Sequence, residues 1–209
     1  TPQPDGGWRV ELNTEALPRV LVNRTYATTI GRAGMSKTDK AFLSEKLQSA
    51  NWLVKALHQR AETILKVSTE LVKQQEAFFR HGITHLRPII LRDVADAIEM
   101  HESTVSRVTT NKYMATPRGI FELKYFFTQA LPSANGEATH SAEAVRHRIK
   151  TLIDKEVAND VLSDDRIVDI LRGDGVEVAR RTVAKYRDSL KIPSSVQRRR
   201  DKAMELGAG

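Results

Sequence analysis

The stretch Leu91–Asn111, LRDVADAIEMHESTVSRVTTN, decides the fold of this 209-residue chain. Leu91, Val94, Ala95 and Ile98 recur at helical spacing, the run breaks at Glu99-Met100-His101, and Val105 and Val108 resume it. The pattern predicts a helix-turn-helix, with Ala95 as the small residue where the helices cross and Met100, Val105 and Val108 as packing points. Glu99 stands where glycine is commonest, a preference and not a steric requirement. With the two valines inward, Glu102, Ser103, Ser106, Arg107 and Thr110 form the outer wall. That wall suits the DNA major groove, since the Arg107 fork can bond O6 and N7 of one guanine. Lys112 and Arg118, beyond the helix, are placed for phosphates.

Upstream, Lys37–His81 contains neither Pro nor Gly. Leu43, Leu47, Ala50, Val54, Leu57, Ala61, Ile64, Ser68, Leu71, Gln75 and Phe78 fall at alternating four- and three-residue steps, the seam of one long amphipathic helix on the order of 65 Å. The seam can serve a coiled coil with another chain or packing within this one. Ser68 and Gln75 weaken a dimer seam, and a second line through Leu53, Leu65, Val72 and Phe79 widens the face, which favours packing within the chain. Gly31 and Gly34 mark a break before the helix, and Ser36 or Thr38 can cap it. Still earlier, Trp8, Val10 and Leu12 alternate like a short strand. The chain starts at Thr1 with no basic-then-apolar leader, as expected of a processed chain or, the favoured reading, of a segment of something longer.

Downstream, Pro117-Arg118-Gly119 turns the chain into a segment where Phe121, Tyr125, Phe126 and Phe127 concentrate a third of the aromatic residues. Duplex DNA offers no free base faces, so these rings are expected in the core behind the recognition helix. Leu131–Ala138, with Pro132, Ser133, Asn135 and Gly136, has linker composition. A second unit follows, with helices expected over Thr139–Val157, from the Ser163 cap with Asp164 and Asp165 in its first turn, and over Ala179–Leu190. A Gly173-Asp174-Gly175 turn precedes the last of these, a second helix-turn-helix layout with a longer turn. On the last helix Val183, Tyr186 and Leu190 form an inner line, leaving Arg180, Arg181 and Lys185 outward as a compact cationic wall. The tail from Gln197, with Arg198-Arg199-Arg200, is expected to be disordered.

The balance of 33 Lys+Arg against 26 Asp+Glu gives net +7, which makes nucleic acid the first partner to consider. From Val176 onward nine Lys/Arg face four Asp/Glu, so the excess is concentrated. At 40% hydrophobic and 28% charged, with no long apolar run, the chain is neither membrane-spanning nor globally disordered. Zero cysteines exclude disulfides, thiolate metal sites and Cys nucleophiles, as fits a cytoplasmic protein. Enzyme readings fare poorly. His81 and His85 have no third ligand, Gly173-Asp174-Gly175 is not a phosphate loop, and no nucleophile–base pair stands out, so no catalytic residue, metal or cofactor is assigned.

One run is more specific than any of these. Ala179-Arg180-Arg181-Thr182-Val183-Ala184-Lys185-Tyr186-Arg187 resembles the RpoN box of the bacterial sigma-54 family of RNA polymerase sigma factors. Leu91–Ile98, Met100–Thr110 and Pro117–Phe127 resemble that family's helix-turn-helix region, and Gly7-Trp8 onward the end of its core-binding domain.

The resemblance implies an all-α fold, a long helix plus a helix-turn-helix domain linked to a small three-helix RpoN domain. Its divisions fall at 1–36 (end of the core-binding domain), 37–82 (long helix), 83–130 (helix-turn-helix), 131–138 (linker), 139–195 (RpoN domain) and 196–209 (basic tail). It implies that the RpoN helix reads an upstream GG element at −24, with Thr182, Tyr186, Arg187, Ser194 and Ser195 joining Arg180, Arg181 and Lys185. The first helix-turn-helix, Arg107 prominent, reads the downstream GC element at −12. Core RNA polymerase is the partner of the full factor, and an ATP-dependent AAA+ activator acts mainly through an amino-terminal region outside this sequence. A dimeric helix-turn-helix repressor, which requires a palindromic site, and a helix-mediated protein-interaction module are the rival readings.

Overall fold

The computed structural model describes residues 1–4, 6–15, 18–23, 25–26, 28–29, 36–128, 130–131, 140–157 and 160–207, with side chains through residue 204. Gly31, Gly34, Thr139 and residues 132–138 of the expected linker lie outside them. The chain divides into two compact units, Thr1–Thr69 and Glu70–Gly209.

In the first unit, Trp8 forms an isolated antiparallel bridge to Pro2, and the expected strand through Leu12 does not form. Helix α1, Lys37–Gln74, starts there and runs across the division. Ser36 is its cap: its Oγ accepts the Asp39 N–H at 3.1 Å and donates to the Asp39 carboxylate at 2.7 Å. Along the first half of α1 the expected seam is only half-buried at Leu43, Leu47, Val54 and Leu57, while Phe42, Trp52 and Leu53 are exposed.

In the second unit, the final turn of α1 buries Leu71 and Val72, and the helix breaks at Gln75 before α2, Glu76–His81. Gln75 is fully buried and its amide is matched on both ends. Nε2 donates to the Arg87 carbonyl at 2.8 Å and to the Phe126 carbonyl at 3.3 Å, and Oε1 accepts the Arg87 N–H at 3.0 Å. The residue that weakened a dimer seam is thus an internal fastener. Phe78 on α2 meets Phe121, Phe126 and Phe79 edge-on, with ring centroids 5.3 to 5.4 Å apart, so the aromatic segment is core as expected.

Helices α3, Leu91–Ala97, and α4, Glu102–Thr109, form the first helix-turn-helix over buried Val94, Ala95, Val105 and Thr109. Glu99 sits at φ 55°. The Met100 N–H reaches the Ala95 carbonyl at 2.9 Å and the Glu99 N–H reaches Asp96 at 3.3 Å, the paired bonds of a helix closed by a left-handed residue. This is why glycine is preferred there. Strands β1, Tyr113–Thr116, and β2, Gly119–Glu122, then pair antiparallel, Tyr113 opposite Glu122 and Thr116 opposite Gly119. Only four residues long each, these strands carry too short an alternation to be read from sequence. Gly119 at φ 124° allows their turn.

Strands β3, Ala130–Leu131, and β4, His140–Ser141, bracket the undescribed segment and pair antiparallel. Helices α5, Ala142–Asp154, α6, Asp164–Gly173, and α7, Arg180–Ser189, enclose Val145, Ile149, Ile167, Leu171, Val176, Val183 and Tyr186. Ser163 caps α6 as predicted, accepting the Arg166 N–H at 3.2 Å. Gly175 (φ 84°) and Lys191 (φ 57°) close α6 and α7 with the same bond pair that closes α3. Ser195–Gly207 is a helix, α8, where sequence composition suggested disorder. The all-α architecture of long helix, helix-turn-helix and three-helix module stands, with two small two-stranded sheets added.

Replacing Glu99 with Gly removes the left-handed penalty and is expected to stabilise the fold by about 0.5–1 kcal/mol in urea unfolding. Gln75→Met keeps the volume but orphans the Arg87 backbone groups, and the same measurement should show a loss of about 2–4 kcal/mol.

Candidate nucleic-acid interface

Each recognition helix owes its orientation to the helix before it. On α4, Val105 faces inward and Glu102, Ser103, Arg107 and Thr110 are exposed, with Ser106 half-buried, close to the predicted wall. The helix is capped by His101, whose Nδ1 accepts the Ser103 N–H at 3.1 Å, a role its sequence did not announce. Lys112 is half-buried, with Nζ 3.4 Å from the Asn111 carbonyl. Arg118 is turned to another use. Its Nε donates to the Phe79 carbonyl at 3.0 Å and its Nη2 to the Arg80 carbonyl, so it satisfies the end of α2 and ties the hairpin to it. Gly82, at φ 98°, lies against it, and a Cβ there would stand 3.2 Å from Arg118 Nη1.

On α7 the RpoN-like run divides by face. Arg180, Arg181 and Lys185 are exposed, Thr182 and Ala184 half-buried. Arg180 Nε lies 3.3 Å from Asp165 in a solvent-exposed pair that a phosphate can displace at little cost. Tyr186 and Arg187 are buried. Arg187 bonds Asp164 at 3.0 Å, Asp188 at 2.8 Å and the Ile192 carbonyl at 2.8 Å. Burial alone would lower its pKa, but the two aspartates outweigh it and hold it above the ordinary value. Tyr186 packs in the module core with the Arg146 guanidinium 5.0 Å over its ring. These two residues therefore hold the recognition helix in place and do not present themselves to a groove. Ser194 Oγ accepts the Gln197 N–H at 3.4 Å and Ser195 begins α8, so both lie at that helix's start.

The tail is anchored by a buried ion cluster that sequence reasoning missed. The Glu156 side chain is fully buried, and Arg198 meets it at 2.8 and 3.2 Å, with Lys202 3.4 Å away. The Leu162 N–H adds a bond at 3.2 Å. Desolvation pushes the Glu156 carboxyl up, but the Arg198 bond and charge, the Leu162 N–H and Lys202 together hold it below its ordinary value. Arg198 is thus internal, while Arg199 and Arg200 are exposed on the same helix. The His81 and His85 rings lie 5.0 Å apart, but among the described residues no group of three or more His, Cys, Asp or Glu is placed to hold a metal. No helix among them is long and apolar enough to cross a membrane.

Each helix-turn-helix unit presents arginine from its second helix. Residues 40–200 match the family described as sigma-54, DNA binding domain. The chain belongs to the sigma-54 family. It is 63% identical over 206 residues to RNA polymerase sigma-54 factor 2 of Bradyrhizobium diazoefficiens, covering 99% of this chain and 38% of that protein. To the sigma-54 factor of Rhizobium meliloti strain 1021 it is 64% identical over 208 residues, 99% of this chain and 40% of that protein. The chain thus spans about two fifths of these sigma-54 relatives. The crystal structure of Aquifex aeolicus sigmaN bound to promoter DNA resembles it with a TM-score of 0.59 at 33% identity, over 94% of this chain and 58% of that one.

Because a lowered carboxyl pKa contributes stability above the unfolded value and loses it as pH falls through the folded one, the α8 anchor should be intact at neutral pH. It should be released only below the ordinary carboxyl range. Amide exchange of residues 195–204 followed against pH checks this. In Glu156→Gln those amides should already exchange fast at pH 7, since the buried Arg198 loses its carboxylate partner and the half-buried Lys202 loses its own.

Proposed function

We propose that this chain is the promoter-reading part of a sigma-54 factor. Helix α4 enters the major groove of the GC element at −12 and α7 that of the GG element at −24. The observation that carries this reading is the outward placing of Arg107 on one helix and of Arg180, Arg181 and Lys185 on another, each helix packed against the one before it. Arg107 and Arg181 have the fork for bidentate guanine contact, and Arg180 and Lys185 supply phosphate attraction. Tyr186 and Arg187 serve by holding α7 at its angle, and Arg118 by holding the hairpin beside α4. The likeness to a sigmaN structure bound to promoter DNA supports the DNA partner. Core RNA polymerase is the partner of the full-length factor, and an ATP-dependent AAA+ activator acts mainly through an amino-terminal region outside this sequence. The exposed Phe42, Trp52 and Leu53 on α1 favour a protein contact along the long helix in addition to DNA.

Binding measured on duplexes with each element altered in turn tests the reading. Arg107→Ala should cost about 1–3 kcal/mol and relax choice at the GC element, and Arg181→Ala should do the same at the GG element. Equal losses on every sequence would show both to be phosphate contacts. Affinity should also fall steeply with salt, as phosphate neutralisation requires.

A further inference from the structure

The segment between the two reading modules has the composition of a flexible tether, yet its two ends are held to each other. Ala130 pairs with Ser141 and Leu131 with His140 in antiparallel register. Leu131, on the first-module side, packs against the core of the second. The modules also touch beyond the strand pair. Helix α5 packs on the turn Ile83–His85, which follows α2 of the first module. Tyr125, from the aromatic core behind α4, lies within the charge field of Glu143 and Arg146 on α5, and its phenol is pushed up by burial, then by Glu143, against the opposing Arg146. Arg146 is ion-paired with Glu143 and lies over the Tyr186 ring of α7. Arg146 thus packs on Tyr186 of α7 while its charge acts on Tyr125 of the first module.

We infer that the two modules form a docked, two-headed reader, in which the contact of α5 with Ile83–His85 and the pairing of Ala130–Leu131 with His140–Ser141, and not the length of the connecting segment, set the separation at which two DNA elements are read. This rests on the promoter-reading function proposed above. The docked arrangement leaves both reading faces open, since Arg107, Arg180, Arg181 and Lys185 are all exposed in it. Docking therefore does not compete with DNA. It removes the freedom a tether would leave, and rigid presentation is what makes a second contact effectively intramolecular. The cost of rigidity is intolerance. One base pair of extra spacing moves an element by about 3.4 Å and turns it by about 34° around the helix axis, which a tether absorbs and a rigid pair does not.

The experiment is a set of duplexes carrying both elements at the natural spacing and at one or two base pairs more or fewer, with duplexes carrying one element alone as controls. The protein is compared with three variants. One has about six Gly/Ser residues inserted between Ala134 and Asn135. Ile83→Glu puts a carboxylate at a half-buried position of the turn packed on α5, and Arg146→Ala removes the guanidinium that lies over Tyr186. The native protein should lose ~10²-fold in affinity when spacing changes by one base pair, as expected when bivalent binding is forfeited. The insertion variant should show the same spacing profile. Ile83→Glu or Arg146→Ala should flatten it to within about threefold, and Ile83→Glu, which lies on neither α4 nor α7, should leave single-element binding as it was. A profile broadened by the insertion, or one unmoved by both substitutions in proteins whose thermal melts remain native, overturns the dock. A native protein indifferent to spacing overturns it as well. Failure of the native protein to bind either single element would instead sink the promoter-reading function on which the dock rests. Should Ile83→Glu fail to fold, Arg146→Ala and the insertion still decide the matter, since Arg146 is a third exposed.

Discussion

The amide of Gln75 is the contact on which the first reading module depends. It sits where the long helix stops, fully buried, and its donor and acceptor reach the backbone at Arg87 and Phe126. A backbone group left unpaired in that interior would cost a large share of a domain's net stability, so the loop before α3 and the turn after β2 have little freedom to move from the end of α1. Through them the position of α4, and with it Arg107, is set. A polar residue in an apolar seam looks like a weakness when read along one helix. Once the chain folds back on itself it becomes the fastener.

A single helix-ending device recurs through the rest of the unit. Glu99, Gly175 and Lys191 all take left-handed backbone and close α3, α6 and α7 with the same pair of hydrogen bonds. In the first two cases the device forms the turn of a helix-turn-helix, which makes the two modules variations on one plan. Only one of the three positions is glycine. The other two accept the steric cost because the packing of the flanking helices over-determines the turn.

Much of the fold was legible locally. The apolar spacing in Leu91–Asn111, the Ser163 cap with its two aspartates and the Gly173-Asp174-Gly175 turn each act within a few residues, and the structure has helices and turns at those places. The two-stranded elements were not legible, because four residues or two do not establish a period. Nor was the order in the tail. Arg198 belongs to a run of three arginines that reads as solvated charge, and its partner Glu156 lies 42 residues earlier.

The candidate site shows the same division within one motif. Sequence by itself determined that there are two helix-turn-helix layouts, that their second helices carry Arg107 and the Arg180-Arg181 pair, and that the chain resembles the sigma-54 family, since all three rest on spacing and residue type along a short stretch. Only the tertiary structure decided which cations remain available. Arg107, Arg180, Arg181 and Lys185 face outward, whereas Arg187 turns to Asp164, Arg118 to the carbonyls of Phe79 and Arg80, and Arg198 to Glu156. The physical reason is that a guanidinium is used wherever an unpaired carboxylate or helix-end carbonyl needs a donor in the fold. Such partners are supplied by segments tens of residues away, which no local pattern records.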